Sequence, residues 1–90
     1  METLTPLSIE RIHGRVIRID KVEDGTQLLG KVLLEFRYPD GPEVSVVEGE
    51  VQMPARPWSD WRIERRLVER AWSRLEKYFD GESEEANIFA

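Results

Sequence analysis

Apolar and polar residues alternate through the first half of the chain and recur at helical spacing in the second. From Ile9 to Val22 β-branched residues are dense: Ile9, Ile12, Val16, Ile17, Ile19 and Val22. Within that stretch Ile17 and Ile19 alternate with Arg18 and Asp20, the period of a strand whose successive side chains point to opposite faces. Gly14 marks a bulge or a close approach of backbone. The stretch Leu29 to Tyr38 is the clearest strand, with Val32, Leu34, Phe36 and Tyr38 on one face. Lys31, Glu35 and Arg37 fall on the other, with Leu33 the exception. A third strand is expected from Glu43 to Met53. There Val44 and Val46 share one parity and Val47, Val51 and Met53 the other, so a bulge near Gly49 is expected to bring both sets to one face.

Two turn signals join these strands. Glu23-Asp24-Gly25-Thr26 offers Gly25 for a positive φ, and Pro39-Asp40-Gly41-Pro42 combines a preset proline φ with Asp-Gly. Short turns between consecutive strands imply an antiparallel meander.

Past Met53 the period changes. Pro54-Ala55-Arg56-Pro57-Trp58 is expected to be a linker, neither helical nor paired along its length. Ser59 then fits an N-cap and Asp60 suits the helix dipole. From there Trp61, Val68, Ala71, Trp72, Leu75, Tyr78 and Phe79 recur at three- and four-residue steps, with Leu67 on the margin of the stripe. Asp80-Gly81 supplies the stop, Gly81 fitting a left-handed C′ position. The expected fold class is therefore α+β: a three-stranded antiparallel β-meander with one long C-terminal helix packed on one face, in the order β-β-β-α. Residues 1–81 are expected to form a single domain, opened by a loose lead-in from Met1 to Leu7, and 82–90 an acidic C-terminal tail. One helix leaves the other sheet face uncovered. Leu33 and some of Val16, Ile12 and Val44 are expected there, and with them self-association as a homodimer through the sheet.

Composition narrows the functional classes. Ninety residues suffice for one modest core and leave no room for a large enclosed active site. The absence of cysteine excludes disulfides, thiolate metal sites and a cysteine nucleophile. No apolar run approaches the ~20 residues of a membrane span, and the N-terminus lacks a basic region followed by an apolar one. No membrane association is expected, and the cytoplasm is the expected location. His13, with Ser8 the nearest serine, is the sole histidine and has no triad around it. The six glycines are scattered and none opens a helix, so no phosphate loop is expected. No catalytic residue, metal site or cofactor is expected.

The net charge of −5 is uneven. Residues 1–58 carry seven Lys/Arg against ten Asp/Glu, residues 59–79 six against four, and residues 80–90 none against four. The local excess is a row of arginines, Arg62, Arg66, Arg70 and Arg74, each four residues from the last. At 100° per residue such a row stays one ridge along a helix flank. Glu69 can reach Arg65 or Arg66, whereas Arg62, Arg70 and Arg74 have no acid three or four residues away. The ridge reads as an array of guanidinium forks for carboxylates or phosphates, against a solvated face or an internal pairing with strand acids or the acidic tail. Trp58 and Arg56 flank its start. Trp58 divides evenly between a partner-facing patch and the core, while Trp61 and Trp72 are expected in the core. The expected function is a small non-catalytic interaction module, an adaptor, inhibitor or regulatory subunit. It would bind a protein partner through Arg62, Arg66, Arg70, Arg74, Trp58 and Arg56, or through a sheet edge. The alternative is nucleic-acid binding by the same ridge on phosphates, which a pI near 4.9 disfavours.

Overall fold

The computed structural model describes residues 9–39 and 41–79, with the side chain of Phe79 excepted. The expected lead-in, Asp40, the Asp80-Gly81 stop and the acidic tail lie outside the described residues. Three strands, β1 (Glu10–Val22), β2 (Gln27–Arg37) and β3 (Val44–Pro54), precede one helix, α1 (Asp60–Phe79). The strands form one antiparallel sheet in the order β1-β2-β3, and the helix covers one face. This is the α+β meander that the periodicity implies.

Both turns close where the glycines stand. In the first, Glu23, Asp24 and Gly25 all take positive φ (55°, 57° and 84°), so the left-handed stretch is longer than the glycine alone suggests. It is held by Gly25 N–H to Val22 O (3.0 Å), Thr26 N–H to Glu23 O (3.1 Å) and Thr26 Oγ1 to Glu23 O (2.7 Å). In the second, Gly41 N–H donates to Tyr38 O at 3.2 Å.

The core lies between the helix and one face of β2. Leu28, Val32, Leu34 and Phe36 of β2 meet Leu67, Ala71, Trp72 and Leu75 of α1, with Val51 and Met53 from β3. Tyr38 extends the β2 row, its ring edge-on to Phe36 at 5.5 Å. Two glycines set how closely the helix sits. A Cβ on Gly30 would lie 2.6 Å from Leu67 Cδ1, and one on Gly14 would lie 2.7 Å from Val68 Cγ1. Gly14 is thus a close approach of backbone, with register shifts on either side of it. Leu67, expected on the margin of the stripe, is fully buried because Gly30 leaves a depression opposite it.

Three further expectations are corrected. No bulge interrupts β3: its register against β2 is continuous, so Ser45, Val47, Gly49, Val51 and Met53 face the helix while Val44 and Val46 lie exposed on the open face. The irregularities fall in β1 instead, where Ile12 and Ile17 are the extra residues. Val16 opposes Val32 and packs against the core, not on the open face. Pairing continues past Met53 into the linker, with Pro54 opposite Gln27 and Ala55 N–H donating to Thr26 O at 2.9 Å.

That last bond fixes which β3 amides point where. Ladder bonds in an antiparallel pair recur at every second residue. Thr26–Ala55 being a bonded pair, the N–H and C=O groups of residues 45, 47, 49, 51 and 53 point to β2, and those of 46, 48, 50, 52 and 54 point outward. Pro54 therefore sits where no ladder donor is lost.

Trp72 is 4% exposed. Trp72→Ala should cost roughly 3–5 kcal/mol, enough to unfold so small a domain. Gly30→Ala, which pushes a methyl into Leu67, should cost about 1–3 kcal/mol. Urea titration followed by far-UV circular dichroism checks both; a loss below ~0.5 kcal/mol at Gly30 would mean that the helix does not sit on the glycine.

Candidate functional site

The helix that carries the arginine row starts where Ser59 ends the linker. Ser59 O accepts from Arg62 N–H and Ile63 N–H, both at 3.1 Å, which makes Ser59 the N-cap position by its backbone. Asp60 in the first turn and Lys77 in the last suit the macrodipole. With Leu67, Ala71 and Leu75 pinned on the sheet, the two flanks of α1 face different strands. Val68, Trp72 and Glu76 lie on the β1 side. Arg66, Arg70, Arg74 and Lys77 lie on the β3 side.

The flanks differ in how their charge is used. On the β1 side Arg11 receives the helix's acids. Its Nε and Nη2 donate to the two carboxylate oxygens of Glu76 at 2.9 and 2.8 Å, a bidentate pair. Glu69 lies 3.5 Å from Nη1, and the guanidinium stands 5.2 Å from the Trp72 ring centroid. The hydrogen bonding of Arg11 to Glu76 pushes the Arg11 pKa above its ordinary value against the opposing effect of desolvation, with the charges of Glu76 and Glu69 adding to it. Glu69 therefore pairs across to the sheet, not with Arg65 or Arg66 as its spacing suggests. Arg11 is already held between Glu76 and Trp72, so it meets Glu69 at little further ordering cost.

Away from β1, Arg66, Arg70, Arg74 and Lys77 on the β3 side and Arg62 ahead of them in the row form no ion pair with any acid among the described residues. Internal pairing of the ridge with strand acids is thereby excluded within those residues; pairing with the acidic tail falls outside them. Arg66, Arg70, Arg74 and Lys77 overhang Val51 and Gln52 and, with Ser73 and the single acid Glu69, wall an open groove of about 370 Å³ along β3. Since β3 is an outer strand of the sheet, the arginine flank and a sheet edge left open among the described residues, separate candidates in the sequence, occupy one place.

Toward the start of the helix the ridge meets aromatic surface. Arg62 stacks on Trp58 with 4.3 Å between its guanidinium carbon and the ring centroid, and Trp58 itself is half-buried against the core. Trp61, expected in the core, is 63% exposed. It points past β1 beside Gly14 and Val16, and among the described residues no strand lies beyond β1 to cover it. Trp58, Trp61, Arg62, Arg65 and Arg66 line a second shallow groove on the outer face of the helix. Arg56 is exposed in the linker and lines neither groove. Residues the sequence did not single out are thus Arg65, Lys77 and the strand partners Val51 and Gln52. Lys77 was legible as a further step of the ridge, three residues beyond Arg74, whereas the strand partners depend on tertiary packing.

Elsewhere the polar chemistry is sparse. His13 Nδ1 lies 3.5 Å from Glu35 on the open face of the sheet. Among the described residues no three His, Cys, Asp or Glu side chains gather as metal ligands. No helix among them is long and apolar enough to cross a membrane. No protein-family model matches the chain, and no curated protein or solved structure is significantly similar to it.

The contrast between the flanks is measurable. Glu76→Gln, which weakens an exposed bidentate pair, should cost up to about 1 kcal/mol. The double change Arg66→Glu with Arg70→Glu, which breaks no ion pair, should shift stability by no more than ~0.5 kcal/mol. Thermal denaturation of the three proteins at low and high salt checks this, and a larger loss in the double variant would mean that the ridge is paired within the chain.

Proposed function

We propose that this protein is a small non-catalytic interaction module whose α1 flank binds an acidic protein partner. Five cationic side chains, Arg62, Arg66, Arg70, Arg74 and Lys77, run down one helix flank and make no ion pair within the described residues. That observation carries the reading. Arginine forks recognise carboxylates bidentately and keep their charge when desolvated. Trp58 and Trp61 add the amphipathic surface typical of interface anchors beside them.

Acidity of the rest of the chain favours a compact partner over a polyanion. Residues 1–58 and 80–90 together hold seven Lys/Arg and fourteen Asp/Glu, a field that repels a long nucleic acid beyond the ridge. Self-association through the open sheet face is the weaker proposal. That face carries the pairs Lys31–Glu48, Arg37–Glu10, Arg18–Asp20 and His13–Glu35 around the half-buried Leu29 and Leu33, and a second copy would have to desolvate them.

Affinity purification of the tagged protein from its native host, with and without nuclease, tests the reading against the double variant Arg66→Glu, Arg70→Glu. A protein retained by the unmodified chain after nuclease treatment and lost with the double variant is the expected result. Retention that survives charge reversal would overturn the arginine surface. Retention abolished by nuclease would replace the protein partner by nucleic acid, and binding to a duplex oligonucleotide should then show a log–log salt slope that falls by about 0.9 for each phosphate contact removed.

A further inference from the structure

The two edges of the sheet are built differently. β1 carries two bulges, at Ile12 and Ile17, and bulged edges twist away from further pairing. β3 runs without interruption from Val44 to Pro54, and the amides of Val46, Glu48, Glu50 and Gln52 point outward. The arginine flank overhangs this regular edge.

We propose that β3 is a docking edge for an extended acidic segment of a partner protein, which adds as a fourth strand with its carboxylates turned to Arg66, Arg70 and Arg74. The proposal rests on the arginine-flank reading above and specifies how that flank is used. Two spacings agree. Alternate residues of a strand that face one side are about 6.8 Å apart, and helix positions four apart are about 6 Å apart. A segment with acids at every second position thus presents successive carboxylates to successive arginines, while its backbone bonds the outward amides of β3. Its other face would lie beside Val44, Val46 and Glu50 on the open side, so valine, threonine or lysine suits the intervening positions.

The charges and the chain's own geometry select this occupant over two others. A second copy pairing edge to edge would set ridge against ridge and Glu48 and Glu50 against their like. The chain's own acidic C-terminal residues would reach the same edge only by a disfavoured path. Seen from the helix side with β3 pointing up, its helix-facing residues direct their amides to the right, toward β2, which leaves the free edge on the left. The helix runs antiparallel to β3, so chain returning from its end would run parallel to β3. Entering on the left would make a left-handed β3–α1–strand crossover, and nearly all such connections are right-handed.

The test uses the full chain and a labelled, end-blocked peptide in which Glu alternates with Val and Thr, against a peptide of the same composition with its Glu residues in one block. The alternating peptide should bind, and slow hydrogen exchange at the amides of Val46, Glu48, Glu50 and Gln52. Reversal of Arg66 and Arg70 to Glu should weaken it at least about tenfold. So should Glu50→Pro, which removes an outward N–H and no ladder bond, as Pro54 does already. Should Glu50→Pro fail to fold, N-methylation of the peptide's edge-facing amides removes the same hydrogen bonds with the protein unaltered and should abolish binding. Equal binding of the alternating, blocked and N-methylated peptides, still lost on arginine reversal, would overturn strand addition and leave the arginine surface standing. Outward β3 amides that exchange slowly in the free protein, and faster once Glu82, Glu84 and Glu85 are changed to Lys, would assign the edge to the chain's own C-terminus and overturn the proposal. Failure of every acidic peptide to bind would also overturn it, while the arginine surface would still stand or fall by the purification experiment.

Discussion

The contact of Leu67 with Gly30 is the constraint on which the arrangement turns. A helix can lie this close to the middle strand only where that strand lacks a side chain, and Gly14 repeats the provision on β1 for Val68 and Trp72. Once the helix is seated on those two points, its rotation about its own axis is fixed. Leu67, Ala71 and Leu75 have to face the sheet, and every other residue of α1 follows by its angle round the axis. The arginine row has no freedom to choose another direction: it is carried over β3 because the glycines put Val68 and Trp72 over β1.

Charge is partitioned by the same rotation. The helix holds four acids, and Glu69 and Glu76 are drawn to the β1 side by Arg11, which also stacks on Trp72. Neutralising that side leaves the opposite flank more basic than the helix sequence as a whole. The value of the Arg11 ion pairs for stability is modest, since Arg11, Glu69 and Glu76 are all substantially exposed. Their larger consequence is for specificity, because they engage Glu69, the acid that lines the groove beside Arg66 and could otherwise have paired with the ridge. The open face of the sheet settles its charge in cross-strand and local pairs of its own, so within the described residues the β3 flank is where cationic side chains gather without partners.

Much of this was legible in the residues. The three strands, both turns and the helix follow from a change of period at the Pro54–Pro57 linker, and the arginine row is visible as a four-residue repeat. What was not legible depends on partners distant in sequence. Parity alone could not tell whether Val44 and Val46 were brought inward by a bulge, because the answer lies in an unbroken register with β2. Helical spacing places Trp61 on the apolar stripe, but whether a stripe residue is covered depends on whether a strand lies beneath it, and beyond β1 there is none among the described residues. Leu67 is buried for the converse reason: the absence of a side chain on Gly30 makes room for it. The coincidence of arginine flank and sheet edge was likewise hidden, since each feature is local but their meeting is set by the rotation of the helix.

That coincidence changes what the ridge can discriminate. A row of guanidinium groups on an isolated helix would attract any anion, with an affinity that salt removes. A free strand edge would accept almost any extended chain, since backbone hydrogen bonds carry no information about sequence. Placed together, each restricts the other. Pairing with β3 fixes the orientation of an incoming strand, so that only alternate residues face the helix. The arginines then reward carboxylates at those positions alone, and the intervening ones meet Glu50 and the exposed valines of the open face. Acidic charge in blocks would turn half of its carboxylates toward Glu50, where like charge costs binding. The edge supplies register and the flank reads it, so this small surface can distinguish a pattern of charge and not only its amount.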